Sequence, residues 1–598
     1  MLKKLVALAC FVAMDWFVLA TAGWPFMGDS TYIHYVVFLT QHGMAPFRDI
    51  VEINMPFAYL VERMAMATFG AGAVGWRLFD FFLIGIVIAS CYQLLKGTSR
   101  VAGLFAGALF AIVHGQDGVM MAGERDFVVA ACQLAALVCL HKSGALGASK
   151  ATVISTEATA SSSRSGEIRC PSPSRDRTSL RPQNKSRFLR SRFASGRNDD
   201  GSAGGDTEVG GGMSASEVVG ASKATVISTG ATASSLRSGE ICCPPASHPP
   251  RTRNQQTTWL FLFGFLSSAA MNLKPPAILF LGVTLIWLFF QKKQSRILLP
   301  IAAGVLLPLL TSLVYLLHYS AVGAFRATLN GLIRYHSHIE RKPLSFLLTH
   351  AFSPILALCV VYLLIEVFWR DRKRSPLEIL LALSAAAGWI AYCIQGKGFA
   401  YQRYPFLLFL LVLMSSVIFS AFQKAQNRAV IGLSYAALLL GLGMMFFFDH
   451  RMATYSHADP FSPLSIDLQT LGGRSLSGSV QCMDTAGGCI ASLYNEKLVQ
   501  STGFLYDCYF QDESKPTAQA LRLRFETAIA RNPPHLLIVT DSVCFAGKRS
   551  FDKFHTWPWF NQQLAEQYHL VRDRKFLRPV HYWSRTDYPF SYRIYERN

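Results

Sequence analysis

The sequence predicts a polytopic α-helical membrane protein that carries a further domain, of α/β or α+β type, at its C-terminus. The chain of 598 residues is 51% hydrophobic and only 16% charged, and its mean hydropathy is +0.28. This composition is too apolar for an ordinary soluble protein of such length. Long apolar runs recur as far as residue 448, whereas 449–598 contains only short ones. The first part of the chain therefore belongs in a membrane.

Eleven apolar runs are long enough, or nearly long enough, to cross a bilayer, for which about 20 helical residues are needed. They lie at 5–24, 78–95, 101–114, 125–141, 258–272, 277–290, 297–317, 346–369, 376–394, 405–421 and 429–448. The runs at 101–114, 258–272 and 277–290 are the shortest. We predict about eleven transmembrane helices, four within 1–142 and seven within 257–448.

The basic residues predict the orientation of these helices. Lys3 and Lys4 precede the first run, and Lys and Arg in short loops favour the cytoplasmic side. Alternation along the chain places further, mostly basic segments on that side, at 96–100, 142–256, 291–296, 370–375 and 422–428. The extracytoplasmic face receives 25–77, 114–124, 318–345, 395–404 and everything after about residue 449. A cleaved signal peptide is the competing interpretation of 1–24, because a Lys pair before an apolar run fits both.

The net charge of +20 raises the question of nucleic-acid binding. Most Lys and Arg residues fall in short clusters between apolar runs, for example QKKQSR at 291–296. No recognised nucleic-acid-binding motif accompanies them. We therefore interpret the charge as a topology signal, and we expect membrane lipids rather than nucleic acid as partners.

The segment 143–256 differs in composition from everything around it. It is rich in Ser, Gly, Ala, Thr and Arg and has almost no aromatic residues, which predicts a disordered cytoplasmic insert. Residues 148–172 recur as 221–245 with four differences in 25 positions. Two copies indicate a duplicated insertion rather than a solenoid. The insert is either a tolerated passenger or a linker that binds anionic lipids through its arginines.

The tail, 449–598, is long enough for a small extracytoplasmic domain. The runs 535–542 and 578–584 have strand patterns, and 517–532 has apolar residues at helical spacing. Asp541, at the end of a predicted strand, either lines a site or caps a loop.

The cysteines follow this division of the chain. We expect reduced thiols in the insert, and no spacing there resembles a zinc site. The tail holds Cys482, Cys489, Cys508 and Cys544. An even number outside the cytoplasm predicts one or two disulfides, whose pairing the sequence leaves open.

The first predicted outer loop resembles a known family. The sequence GDSTYIHYVVFLTQHGMAPFRDIVEINMPFAYLVERMAMATFG (28–70), followed by GWRLFD (75–80), is similar to the first outer loop of the GT-C glycosyltransferases. These polytopic enzymes include bacterial aminoarabinose transferases and protein O-mannosyltransferases. The positions that match the family pattern are Asp29, Gly43, Pro46, Asp49, Pro56 and Arg77. Phe47 stands where the family usually has Tyr.

Three further stretches extend the resemblance. AGERDFVVA (122–130) resembles the second outer loop with its acidic residue, and NLKPP (272–276) matches as well. QGKGFAYQRYP (395–405) is similar to a Gly-Lys-Gly-aromatic-x-Tyr-His stretch in bacterial relatives, with Gln402 in place of the His. The insert and the tail lie outside the resemblance.

The resemblance implies a GT-C-like fold in a bacterial inner membrane. It also implies an enzyme that moves a sugar, with inversion, from a polyprenyl-phosphate-linked donor to an extracytoplasmic glycan, lipid or protein acceptor. Two other classes stay open from the sequence. A transporter of lipid carriers or glycans would show two related halves, and no such repeat is visible. A noncatalytic envelope-assembly protein would use the tail for binding.

Such a reaction needs a carboxylate to accept a proton and cations to hold the lipid phosphate. The resemblance assigns the base to Asp29, which could instead cap a helix. The predicted catalytic residues are Asp29, Asp49 and Asp126. The predicted substrate-binding residues are Glu52, Arg77, Arg125, Lys274, Lys397, Tyr401, Gln402, Arg403 and Tyr404. Several of these residues also have a structural alternative. Asp49 and Glu52 could stabilise their own loop, and Arg125 and Asp126 could form ion pairs. Lys274 could extend its ammonium to the lipid head groups.

Two further expectations concern the surroundings of this site. Glu124 should be solvated. His336, His338 and Arg341 could bind substrate or metal, but two His at i and i+2 cannot share a helix face. A divalent metal is possible but not indicated, and the sequence makes no cofactor certain.

Overall fold

A computed structural model describes residues 1–26, 28–146, 252–291, 295–339, 341–452, 462–485, 488–544, 549–576 and 590–598. The helices before the tail are α1 Leu2–Thr21, α2 Asp29–Gln41, α3 Pro56–Phe69, α4 Ala73–Leu95, α5 Arg100–Gln116, α6 Arg125–Lys142, α7 Arg253–Leu273, α8 Ile278–Phe290, α9 Leu298–His318, α10 Val322–Thr328, α11 Arg334–His338, α12 Leu344–Phe352, α13 Leu356–Phe368, α14 Pro376–Gln395, α15 Tyr404–Lys424 and α16 Arg428–Met452. Almost all of the predicted insert, 143–256, lies outside the described residues.

Long apolar helices confirm a multi-pass membrane protein. Within the described ranges, six helices are long and apolar enough to cross a bilayer. They are α1, α4, α9, α14, α16 and the helix at Ala400–Lys424 that contains α15. The bent pair α12–α13 would be a seventh span, and Arg100–Gln116 and Pro275–Phe290 are shorter apolar helices. Every predicted run has a helical counterpart, but the number of eleven spans stays a prediction.

The run predicted as one helix at 346–369 is instead two helices. α12 and α13 meet at an angle of 82°, with Pro354 at the break. Proline has no N–H, and its ring clashes with the carbonyl four residues earlier. That carbonyl, on His350, accepts a hydrogen bond of 2.6 Å from Arg403 Nη1 instead. A cation from a distant loop therefore satisfies the end of α12.

The tail is built around a mixed sheet. Its elements are α17 Ser462–Thr470, β2 Val480–Met483, α18 Gly488–Asn495, β3 Gly503–Phe504, α19 Pro516–Arg531, β4 Leu536–Thr540, α20 Pro558–Gln567, β5 Tyr568–Arg574 and β6 Tyr592–Arg597. The four-stranded sheet has the order β2-β4-β6-β5; β2 and β4 are parallel, and β6 is antiparallel to both neighbours. α19 and β4 match the predicted helix and strand, whereas 578–584 lies outside the described residues.

Two disulfides supply the pairing that the sequence left open. Cys482 bonds Cys489, and Cys508 bonds Cys544. The second one ties the segment after β3 to the segment after β4. Asp541, which follows β4, accepts a backbone hydrogen bond from Ser591 and pairs with Arg549 at 3.1 Å.

The first loop and the tail are directly joined. β1, Ile50–Val51 in the loop, pairs in parallel with β3. A Cβ on Gly503 would lie 1.9 Å from the Asp49 carbonyl oxygen, so only glycine permits this approach. From α2, the Tyr35 hydroxyl donates to the Leu498 carbonyl and accepts from the Gln500 N–H, both at 2.9 Å. The tail therefore fixes the loop and helix that carry the first predicted site residues.

Asp467 offers a test of tail stability. Its carboxylate accepts two hydrogen bonds from Arg574, at 2.9 and 2.7 Å, and one from the Tyr592 hydroxyl at 2.8 Å. Burial opposes ionisation, but these hydrogen bonds hold the pKa of Asp467 below its ordinary value. A carboxylate whose pKa is lower in the folded state than in the unfolded state stabilises the fold at pH values above the unfolded-state pKa. This stabilisation is lost as the pH falls through the folded-state pKa.

We expect Asp467→Asn to lower the free energy of unfolding at pH 7 by about 1–3 kcal/mol. The variant should also lose less stability than the wild type when the pH falls below about 4, because it lacks the titrating carboxylate. Thermal unfolding of the full chain in detergent, followed between pH 7 and pH 3, measures both effects. Asp573→Asn, which removes a more exposed ion pair with Arg593, is the control. Equal stability of the two variants at pH 7 would contradict the prediction.

Candidate active site

Asp29 lies at the first residue of α2, in a turn that only glycine can form. Gly28 has φ +79°, and a Cβ there would lie 2.7 Å from the Met120 carbonyl oxygen and 3.2 Å from Glu124 Oε1. The Asp29 N–H donates to Glu124 Oε1 at 3.1 Å. Gly28, and not Asp29, is the N-cap, and no side chain caps this helix end. The Asp29 carboxylate is therefore not used for capping.

Three predicted site residues meet at the Asp29 carboxylate. Arg125 Nη2 donates to Asp29 Oδ2 at 2.7 Å, and the Tyr401 hydroxyl donates to the same oxygen at 3.3 Å. The Asp29 side chain is still 41% exposed. The carboxylate is held in place by two donors and remains accessible. These residues, far apart in sequence, form the Asp29 cluster together with Glu124.

An ion pair lies next to the Asp29 cluster. Lys274, at the end of α7, is 3.1 Å from Asp126 Oδ2 on α6, and its ammonium lies 5.7 Å from the Tyr401 ring centroid. Both side chains of the pair face a small cavity of about 20 Å³. Its lining is Asp126, Val129, Gln133, Lys274, Pro276, Ala277, Phe280, Ala387, Gly388, Ala391, Gln395, Gln402 and Pro405. We call this space the lysine cavity. The cavity has room for about one water molecule, and its cation, amide groups and apolar walls are the groups that bind a phosphate with an attached hydrocarbon chain.

The expectation for Glu124 is wrong. Its side chain is buried, with 1% of the residue exposed, and Oε2 has no hydrogen-bond partner among the described residues. Burial, and then the charge of Asp29, raises the pKa of Glu124 well above its ordinary value. A glutamate within the charged sequence Glu-Arg-Asp is expected to be exposed to solvent, because charged residues in a row usually lie at the surface. The only hint in the sequence was its position beside the predicted pair Arg125 and Asp126.

The side chains of Asp49 and Glu52 form hydrogen bonds within the loop that carries them. Asp49 Oδ2 accepts the Ala45 N–H at 2.8 Å and pairs with exposed Arg48 at 2.9 Å; the hydrogen bond from Arg48 lowers the pKa of Asp49. Glu52 Oε1 accepts the backbone N–H and the side-chain amide of Asn54. Glu52 is buried, which raises its pKa. These contacts favour the alternative in which both acids brace the loop.

Arg77 and Tyr404 belong to a separate buried network. Arg77 donates to Asp80 at 2.7 Å and to Thr21 at 2.5 Å. His114 joins Asp80, at 3.2 Å, to the Tyr404 hydroxyl, at 3.1 Å. The network connects α1, α4, α5 and α15. Its contacts are structural, and none of them reaches Asp29.

Lys397 and Arg403 bond to the ends of short helices. Lys397 Nζ donates to the His336 carbonyl at 2.7 Å and to the Ile339 carbonyl. Arg403 pairs with Asp117 at 2.6 Å in addition to its bond to the end of α12. Lys397 therefore holds the end of α11, and Arg403 holds the end of α12. They do not take part in the Asp29 cluster.

His336 is a neutral imidazole. Burial, and then the neighbouring Lys397 charge, lowers its pKa to about 3. Arg341 donates to the Ile394 carbonyl at 3.1 Å. Across the part of the chain that the structure describes, no group of three or more His, Cys, Asp or Glu residues could hold a metal ion.

The fold is shared with solved structures of the kind to which the sequence resemblance pointed. Two structures of ArnT from Cupriavidus metallidurans, one apo and one bound to undecaprenyl phosphate, share this fold. Each has a TM-score of 0.54 and 10% sequence identity, over 99% of this chain and 98% of ArnT. The Archaeoglobus fulgidus oligosaccharyltransferase tethered with an acceptor peptide is also similar, with a TM-score of 0.48 and 13% identity over 96% of this chain and 72% of that one. Comparison of the sequence with family models and with curated proteins finds no match.

Proposed function

We propose that the protein is a membrane glycosyltransferase that moves a sugar from a polyprenyl-phosphate-linked donor to an acceptor on the side of the membrane that carries the tail. The accessible Asp29 carboxylate, fixed by Arg125 and Tyr401 beside the lysine cavity, is the observation that carries the proposal. The shared fold with a structure of ArnT bound to undecaprenyl phosphate supports the donor class.

The residues of the cluster fit the steps of an inverting transfer. The bond between the anomeric carbon of the sugar and the phosphate oxygen breaks, and its electron pair stays on the phosphate. An acceptor oxygen or nitrogen forms the new bond from the opposite face, and its proton passes to the Asp29 carboxylate. Arg125 and Tyr401 keep that carboxylate oriented. Lys274 offsets the negative charge that grows on the leaving phosphate.

The lysine cavity is the proposed donor site. Lys274 pairs with Asp126. The donor phosphate is a diester with one negative charge, and it becomes a more highly charged monoester when the sugar leaves, so the ammonium of Lys274 binds the leaving phosphate more strongly than the donor. Gln402 Oε1 is buried and has no hydrogen-bond partner within the described ranges. Gln402 stands where relatives have a His, and in this proposal it binds the donor and transfers no proton. Val129 and Phe280 are apolar residues of the cavity lining, and in this proposal the prenyl chain packs against them.

Removing the ammonium of Lys274 should weaken donor binding. We expect Lys274→Met to raise the Kd for undecaprenyl phosphate by about 10-fold or more, because a hydrogen bond to a charged group is worth about 1.5–3 kcal/mol. Titration of the purified protein with this lipid, followed by tryptophan fluorescence, measures the change. Lys373→Met, in the exposed loop between α13 and α14, is the matched control. Equal Kd values for the two variants would remove Lys274 from the donor site.

The proposal places the N-terminus in the cytoplasm of a bacterial inner membrane and the tail outside it. A reporter enzyme that works only outside the cytoplasm should be active when fused after Arg451 and silent when fused at Gly201. The activities of the two fusions in whole cells check this orientation. The opposite pattern would put Asp29 on the cytoplasmic side and contradict the proposal.

Identification of the bound lipid tests the proposed function. The protein is purified in mild detergent, its lipids are extracted, and they are analysed by mass spectrometry. We expect a polyprenyl-phosphate sugar, and we expect the purified protein to convert it to free polyprenyl phosphate. A bound glycolipid that is never cleaved would favour the transporter alternative instead.

A further inference from the structure

A second and larger cavity, of about 390 Å³, lies between the tail and the α11 region. Its lining is Tyr335, His338, Ile339, Cys508, Gln511, Asp512, Lys515 and Cys544. We call it the tail cleft. It is bounded by the segments that follow β3 and β4, at the carboxyl ends of parallel strands. Ligands bind at this end of the strands in open α/β sheets.

The walls of the tail cleft are rigid. The Cys508–Cys544 disulfide joins two of its segments. Gln511 Oε1 accepts the Cys544 N–H at 2.8 Å, and its amide donates to Asp507 at 3.2 Å. A cleft held by a disulfide and crossed hydrogen bonds keeps its shape without a ligand.

Polar groups in the tail cleft are left for a ligand. Tyr335 is only 9% exposed, yet its hydroxyl has no hydrogen-bond partner in the described ranges. A buried hydroxyl without a partner is costly. Among the same residues, the Lys515 ammonium forms no ion pair, and Oδ1 of nearby Asp512 accepts from Ser514. Both groups line the cleft.

A row of aromatic side chains connects the tail cleft to α2. Tyr509, next to Cys508, has its ring centroid 6.4 Å from Tyr335 and 6.1 Å from His336. Burial, followed by charges that include those of Glu52 and Asp29, raises the pKa of Tyr509 well above its ordinary value. Tyr509 also contacts Tyr506, at 5.1 Å between ring centroids, and Tyr506 contacts Tyr32 on α2 at 5.7 Å. Aromatic rings therefore connect the cleft to the helix that begins at Asp29.

We infer that the tail cleft binds the acceptor, and that this acceptor is a glycan. The inference rests on the proposed function and names its second substrate. Tyr335 offers a ring and a free hydroxyl, and His338, Gln511 and Lys515 add polar groups. Rings pack on the C–H faces of sugars, and these polar groups match sugar hydroxyls. A peptide would instead need a free strand edge or a row of apolar pockets, which this lining does not provide.

A block of the tail cleft tests the inference. His338 is exposed and lines the cleft, and its neighbour Ser337 is exposed but does not. We compare His338→Trp with Ser337→Trp as a matched control. The probes are glycan fragments released from the cell envelope by mild acid, and envelope peptides released by protease. The readout is the release of polyprenyl phosphate from the donor lipid, with and without each probe.

We expect glycan fragments to raise the release rate several-fold in the wild type and in Ser337→Trp. In His338→Trp the ratio of the rates with and without fragments should fall to about one, at an unchanged thermal midpoint. Lys515→Met should show a smaller loss of the same ratio, so a misfolded tryptophan variant would not end the test. Equal stimulation of His338→Trp and the control, stimulation by peptides alone, or none by glycans would overturn the inference. No release by the wild type under any condition would instead overturn the proposed function.

Discussion

Replacing Asp29 by asparagine is expected to lower the rate of sugar transfer by about 10²- to 10⁴-fold, because a positioned acid–base group contributes by that order. The amide oxygen of asparagine can still accept hydrogen bonds from Arg125 and Tyr401, which donate to Asp29 Oδ2 in the wild type. The variant should therefore fold and bind the donor lipid. It cannot take up the acceptor proton. Steady-state transfer by equal amounts of purified protein measures the loss.

Asp49→Asn is the control for this prediction. It makes the same chemical change in the same loop, at a carboxylate that bonds to Ala45 and Arg48. An exposed ion pair is worth at most about 1 kcal/mol, so this variant should lose much less activity than Asp29→Asn. If the two variants were equally active, Asp29 would not be the base.

The second large effect concerns stability. We expect Arg77→Met to lower the free energy of unfolding by about 3–5 kcal/mol, the usual result of removing one partner from a buried ion pair. Asp80 would lose its hydrogen bond from Arg77 while fully buried. The guanidinium also packs on Phe81 and Trp24, at 4.4 and 4.8 Å from the ring centroids. The thermal midpoint and the yield of monodisperse protein in detergent measure the loss.

Arg48→Met removes an exposed arginine from an ion pair and serves as the control, with an expected cost below about 1 kcal/mol. This pair of variants also separates two roles for Arg77. A stable Arg77→Met protein with weakened substrate binding would support the substrate-binding role that the sequence resemblance predicted for Arg77. A destabilised protein would confirm the structural role.

The positions of the helices were predictable because the length and hydropathy of each apolar run can be read from the local sequence alone. The break between α12 and α13 was harder to predict, although Pro354 is visible in the sequence. Proline is tolerated in membrane helices when another group satisfies the freed carbonyl, and here that group is Arg403. A partner 53 residues away cannot be found from local sequence. For the same reason, the carbonyl groups that accept hydrogen bonds from Lys397 could not be predicted, because they lie far from it in sequence.

Most residues of the Asp29 cluster were predicted from the sequence, but their contacts with one another were predicted only in part. Asp29, Arg125 and Tyr401 were all candidates, because the resemblance brings their loops to one face. Glu124 was missed, since its burial depends on the close approach of Gly28. The docking of the tail on the first loop was also invisible. β1 and β3 have two residues each, too few for a period to show.

The most direct test is a transfer assay in proteoliposomes that contain the purified protein, a polyprenyl-phosphate sugar and envelope glycan fragments. Mass spectrometry follows the intact donor, the free polyprenyl phosphate and the modified acceptor. We predict that free polyprenyl phosphate and modified acceptor appear in equal amounts, and that both depend on Asp29. Movement of intact donor across the bilayer without cleavage of its sugar–phosphate bond would contradict the account.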